Sequence, residues 1–304
     1  MEKAAGYRRT IGDRIFDGIN YLLLSILGFT TLYPFIYALV LSFNDGNDAL
    51  KGGIYFWPRK FTLDNYYKAF QNPNISSAFQ ISIARTVLSV VLSVFLTAML
   101  AYALSKKGMP GRKYFVMFFY FTMLFGAGLI PKYVIYRKMN LLNNFWIYVL
   151  PGLYNFYNAI VMKTYFDGIP DSLSEAAEID GCSELQTFFR IILPLSMPVL
   201  ATISLFVGVG SWNDWFTGEY FINKAELVSA ATLLNKLLSE ASFESSAGAN
   251  GFENINESIR QNSNVTPEAL RMTFLIILTV PILCIYPFLQ KYFVKGVMIG
   301  SIKE

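Results

Sequence analysis

Hydrophobic residues along this chain come in long blocks bounded by charge, not with the strict alternation of a half-buried strand. Reading from one charged residue to the next gives uncharged stretches Gly18 to Asn44, Thr86 to Ser105, Tyr114 to Pro131, Met139 to Met162, Ile191 to Asn213 and Met272 to Gln290. Each is of the order of the about 18 to 25 residues that a helix needs to cross a bilayer. Ala69 to Ala84 is also uncharged, but Gln71, Asn72, Pro73, Asn74, Ser76 and Ser77 make its first half too polar for hydrocarbon. That stretch is read as a lead into the second helix, not as a separate crossing. The pattern predicts an all-α polytopic membrane protein with six transmembrane helices, at 18–44 and about 82–105, 114–131, 141–163, 191–213 and 270–290. The first block exceeds the roughly 7 to 15 residues of a signal-peptide core and lacks a small-residue cleavage site, so it is expected to be retained.

Basic residues orient the bundle, because Lys and Arg favour the cytoplasmic side. Lys3, Arg8, Arg9 and Arg14 in a 1–17 segment, and the Lys106 to Lys113 loop, both fall inside if the N-terminus is cytoplasmic; six crossings then return the 291–304 tail to the same side. Lys132, Arg137 and Lys138 dissent, since this topology places them outside. The remaining pieces are an external segment 45–80, a transmembrane domain 81–290, a cytoplasmic loop 169–190 and an external loop 214–269. Thr62 ahead of Asp64 reads as the cap of a short helix, and Thr266-Pro267-Glu268 as the start of the last one. In the second block Ser89, Ser93, Thr97, Ala101 and Ser105 form a stripe of small side chains on which a neighbouring helix can approach closely.

Composition narrows the chemistry. Charged residues are 15% of the chain, against roughly 25% in an average soluble domain. The net charge of +4 is modest and spread out, which gives no support to a nucleic-acid partner. Histidine is absent, removing imidazole catalysis and His-ligated zinc; Cys182 and Cys284 form no C-x-x-C pair, so no metal site is expected. No phosphate loop occurs, and Gly126/Gly128 and Gly208/Gly210 lack the third glycine of a dinucleotide site. The uncharged blocks hold none of the ionisable groups that ion-coupled carriers keep in the membrane, and Asp214 and Glu219 read as a solvated helix end. The chain is thus expected to be no enzyme and to bind no cofactor, its driving force arriving from outside the bilayer.

The most informative segment runs from Ile169 to Pro194. Ser172 with Glu175 reads as a capping box that starts a helix, Asp180-Gly181 breaks it, and a second short helix follows through Leu185, Phe188 and Phe189. Asp171, Glu175, Glu178, Asp180 and Glu184 make the polar face acidic, unlike the basic face of a helix that lies on anionic lipid. A compact acidic elbow with exposed-side aromatics suits a groove on another protein. Glu175-Ala176-Ala177, three residues, Gly181, nine residues, then Ile191, one residue, Leu193 and Pro194 resemble the EAA motif of ABC-importer permeases. The resemblance runs over the whole chain from the Phe61-Thr-Leu-Asp-Asn-Tyr66 segment, and the tail from Tyr286 to Gly300 resembles the carbohydrate branch, similar to maltose-importer permeases of the complex-oligosaccharide type.

The resemblance implies a type I importer fold in a prokaryotic cell membrane. It also implies a second permease subunit, two ATPase subunits carrying ATP and Mg, and an extracellular solute-binding protein. Glu175, Ala176, Ala177, Asp180, Gly181, Cys182, Leu185, Phe188 and Phe189 would contact the ATPase, with Cys182 where alanine is commoner. For the solute path, amides and ring faces at Tyr154, Asn155, Tyr157, Asn158, Trp212, Asn213 and Trp215 suit a sugar. An interfacial aromatic belt explains the same residues, and fits Trp212 and Trp215 better. A permease for peptides or another solute, and a stand-alone carrier or channel, remain as alternatives.

Overall fold

The computed structural model describes residues 10–71, 73–244 and 265–301, and among them the chain is helical with a single isolated bridge, Asn44 to Phe61. In order the helices are α1 (Ile11–Ser42), α2 (Gly46–Ala49), α3 (Asp64–Gln71), α4 (Pro73–Ser105), α5 (Arg112–Leu124), α6 (Leu129–Lys138), α7 (Phe156–Asp167), α8 (Asp171–Ile179) and α9 (Glu184–Thr187). They continue as α10 (Leu193–Leu195), α11 (Met197–Asn213), α12 (Phe216–Phe221), α13 (Ala230–Glu244) and α14 (Pro267–Ser301). Contacts divide the chain into two compact units, one of residues 1–69 and 249–277, the other of 70–248 and 278–304.

In the first unit α1 starts at a capping box: Thr10 accepts from the Asp13 amide while Asp13 accepts from the Thr10 amide. At 32 residues and a rise of 1.5 Å each, α1 is about 48 Å long, more than the hydrocarbon core requires. Its C-terminal turn packs Val40 and Leu41 with Ile54 and Met272. Buried Asn65 donates to the Ser42 and Asn44 carbonyls at 2.9 and 2.8 Å, satisfying helix-end acceptors. Thr62 accepts from the Asp64 amide and Thr266 from the Ala269 amide, the two starts expected from sequence.

The second unit is organised around α4, which packs along α11 and α7. The small-residue stripe faces this packing: Ser89, Ser93, Thr97 and Ala101 are all buried, and Gly208 of α11 sits where an added methyl would meet Val90 at 3.4 Å. The polar residues from Pro73 to Ser77 are helical, so α4 begins at Pro73, well before residue 82.

Three predicted spans are not single rods. The third divides at Phe125 to Gly128, where two glycines and an extended Phe125 interrupt the backbone ladder, and α5 and α6 meet at 114°. The fourth holds two 3-10 turns around Pro151 before the 12-residue α7. The fifth enters through a π turn at Phe188–Ile192 and bends by 81° into α11. Among the described residues three helices, α1, α4 and the first part of α14, are long and apolar enough to cross a membrane, or up to five if each bent pair is one span.

Candidate functional site

The 169–190 segment forms the expected elbow, by partly different means. Pro170, with its fixed φ of −57° and extended ψ of 130°, turns the chain into α8 two residues early, so Ser172 falls inside the helix and no side chain caps it. The Ser172–Glu175 capping box is therefore not formed. Asp171 sits instead in the first turn, where the amide ends favour a negative charge.

The helix stops where Gly181 takes φ +76°. Cys182 donates to the Ala177 carbonyl at 2.9 Å and Gly181 to the Glu178 carbonyl at 3.0 Å, the paired bonds of a Schellman terminus. A capping box does exist at the second helix: Ser183 and Gln186 exchange bonds at 2.8 and 3.4 Å.

Two lysines beyond the end of α4 tie both arms of the elbow down. Lys107 donates to Asp171 at 2.7 Å, and Lys106 lies 2.9 Å from Glu184, which also accepts from Tyr102 at 2.5 Å. Lys107 holds the Asp171 carboxyl below its usual range, and Asp171 raises Lys107 in return. Burial works against charge on Lys106, but its bonds to Glu184 and Tyr102 outweigh that and raise it. A cavity of about 470 Å³ lies between these arms, lined by Lys106, Lys107, Glu175, Glu178 and Cys182 among others.

Expected contact residues separate into two sets. Glu175, Ala176, Asp180, Gly181, Leu185 and Phe189 are exposed, Cys182 is half-buried, while Ala177 and Phe188 point inward. Phe188 was expected among exposed aromatics; it is 1% exposed because the π turn rotates it into a core of Ala98, Ala101, Met162, Phe166 and Ile203. Its ring lies 5.1 Å from that of Tyr102. Phe188 thus packs the elbow against α4, α7 and α11. Ile179 on α8 is an 87% exposed apolar side chain that the motif spacing gives no means of finding.

Comparison with known proteins places this elbow in context. The family model described as "Binding-protein-dependent transport system inner membrane component" matches residues 114–299, a stretch containing the whole elbow. The chain belongs to that family. It is a permease component of such a system. It is 37% identical to Protein LplC of Bacillus subtilis (strain 168), with 97% of each chain covered. It is 33% identical to the polygalacturonan/rhamnogalacturonan transport system permease protein YtcP of the same organism, over 96% of this chain and 99% of that one. Among solved structures it resembles a bacterial ABC transporter involved in the import of the acidic polysaccharide alginate, with a TM-score of 0.84 and 30% identity, covering 94% of this chain and 99% of the other.

At the far end of α11 from the elbow, the candidate solute-path residues take separate roles among the described residues. Asn155 caps α7 by accepting from the Asn158 amide, and Asn158 itself is buried. Tyr154 packs on Phe119 and Phe156, while Tyr157 is exposed. Trp212 is buried, its indole donating to the Leu278 carbonyl at 3.0 Å. Asn213 bonds back to the Val209 carbonyl, and Trp215 packs edge-on to Phe216.

What does assemble there centres on Arg85, a residue bordering the uncharged block and overlooked in sequence. It is 1% exposed inside α4 and donates through Nη2 to the carbonyls of Asp214 and Trp212, at 2.8 and 3.3 Å. These acceptors lie at the C-terminal end of α11, whose unpaired carbonyls and dipole favour a cation. The guanidinium lies over the Tyr148 ring at 4.8 Å, and Nη1 is 3.7 Å from the Asp214 carboxylate. Asp214 is thus a partner of a buried charge and not a solvated helix end.

Proposed function

We propose that this permease is one of two membrane-spanning subunits of an ATP-driven importer that moves an oligosaccharide handed over by an extracellular binding protein. In this reading six crossings keep both termini cytoplasmic, the bent α5–α6 pair, the α7 region and the α9–α11 run each serving as one crossing. Glu175, Ala176, Asp180, Gly181, Leu185 and Phe189, with Ile179, form the face presented to an ATPase subunit; Ala177 and Phe188 carry its movement inward. ATP and Mg reside on that partner.

One observation carries the mechanism: a glycine-hinged elbow whose outer face is exposed and whose inner residue Phe188 is locked into the packing of three helices. Closure of two ATPase subunits would push the paired elbows, rock α4 and α11, and turn the cavity between the permeases from one side to the other. The sugar class is supported by relatives named for polygalacturonan/rhamnogalacturonan transport and alginate import. Labelling of Cys182 in a Cys284→Ser background tests the elbow: the thiol should react from the cytoplasmic side and be protected when the ATPase binds. Reaction from outside, or ATP-independent transport by the permease alone, refutes the reading and favours a carrier or channel.

A further inference from the structure

Resting on that importer reading, we infer that the cleft between Arg85 and Lys132 is a contact point for a carboxylate-bearing sugar unit, a uronate of the passing oligosaccharide. The cleft has a volume of about 320 Å³ and is lined by Arg85 of α4, Lys132 and Tyr136 of α6, Tyr148, Asp214 and Phe216, with neighbours from α11 and α12. None of these residues was among the solute-path candidates read from sequence.

Arg85 is only half satisfied. Nη2 has its two carbonyl acceptors, but Nε and Nη1 have no hydrogen-bond partner, and Asp214 at 3.7 Å is beyond hydrogen-bond reach. A buried charged group left this way costs free energy unless a further acceptor arrives. The neighbouring charges specify the acceptor's sign: Arg85 and Lys132 carry two positive charges against the one negative charge of Asp214, leaving the cleft one positive charge in excess. Carboxylate, the anionic group of the polyuronates named for its relatives, both neutralises this excess and accepts from guanidinium and ammonium donors. Tyr136 and Phe216 supply aromatic surface for the apolar C–H side of a sugar. The volume is at the small end for ligand sites, as a transit contact for part of an oligosaccharide requires. Arg85 engages the carbonyl end of α11, so cargo bound here acts on the helix that the elbow drives from its other end.

The experiment uses the full complex in proteoliposomes with its binding protein in excess, comparing trigalacturonate with its methyl ester. Lys132 is exposed, so Lys132→Glu can reverse one cleft charge without touching the buried packing of Arg85. The wild type should import the acid in preference to the ester. Lys132→Glu should shift that preference toward the ester by about tenfold, equivalent to about 1.4 kcal/mol. An equal change for both sugars, or no change, overturns the proposal, because Lys132 would then act through folding or not at all. Preference of the wild type for ester or for neutral oligosaccharides overturns it while leaving the importer reading intact. Failure to move any sugar with ATP overturns both.

Discussion

Gly181 is the position where the elbow can be perturbed with the least ambiguity. A Cβ added there meets nothing within 4 Å, so the main effect comes from φ +76°. Residues with a Cβ lose about 1–2 kcal/mol in the left-handed region, and a β-branched side chain is least tolerant of it. The strain falls on the two Schellman bonds, from Cys182 to Ala177 and from Gly181 to Glu178. A penalty of that size moves the balance between formed and frayed elbow by about five- to thirtyfold. Gly181→Val should therefore insert and assemble normally, yet import sugar more slowly, by at most about five- to thirtyfold, with more ATP hydrolysed per sugar moved. Asparagine visits the left-handed region readily, so Gly181→Asn should stay near wild type. The assay is paired measurement of ATP hydrolysis and uptake in proteoliposomes. Equal coupling in the Val and Asn variants would refute the hinge, whatever the absolute rates.

Three further outcomes test other parts of the molecule. Ala101, fully buried on the small-residue stripe of α4, should not accept bulk: Ala101→Leu is expected to cost about 1–3 kcal/mol by overpacking, read as a lower melting temperature in detergent. Gly218→Ala should cost a similar about 1–3 kcal/mol, since its methyl would lie 2.8 Å from the Tyr148 hydroxyl and closer still to Thr232; a melting curve that matches wild type would show that the α12–α13 contact yields. Lys107 keeps Asp171 ionised to lower pH than usual, so their pairing contributes at neutral pH and is lost as pH falls through the depressed carboxyl value. Lys107→Ala should return the Asp171 titration upward, observable by carbon NMR of labelled aspartate.

Length and apolarity are local properties, and they made the helical class and the membrane setting legible from sequence alone. The elbow was legible for a related reason: Gly181 has an unusual backbone geometry that the residue type itself announces. Exact starts were less so, because Pro170 preempted the Ser172 cap and only the three-dimensional turn decides which of two nearby starts prevails. Breaks inside spans, as at Gly126 and Gly128, leave uncharged blocks unchanged and so escape a reading based on charge. Phe188 and Phe189 differ in fate though adjacent, since the π turn sets which one faces the core. Arg85 escaped for the most instructive reason. Its neighbours before it in sequence are polar enough to suggest water, and its partners, the Trp212 and Asp214 carbonyls, are more than 120 residues away. A charge ending an apolar block reads as a boundary marker until the acceptors that hold it are known. Buried beside a second cation and with donors to spare, it becomes the feature of α4 whose function most needs a ligand.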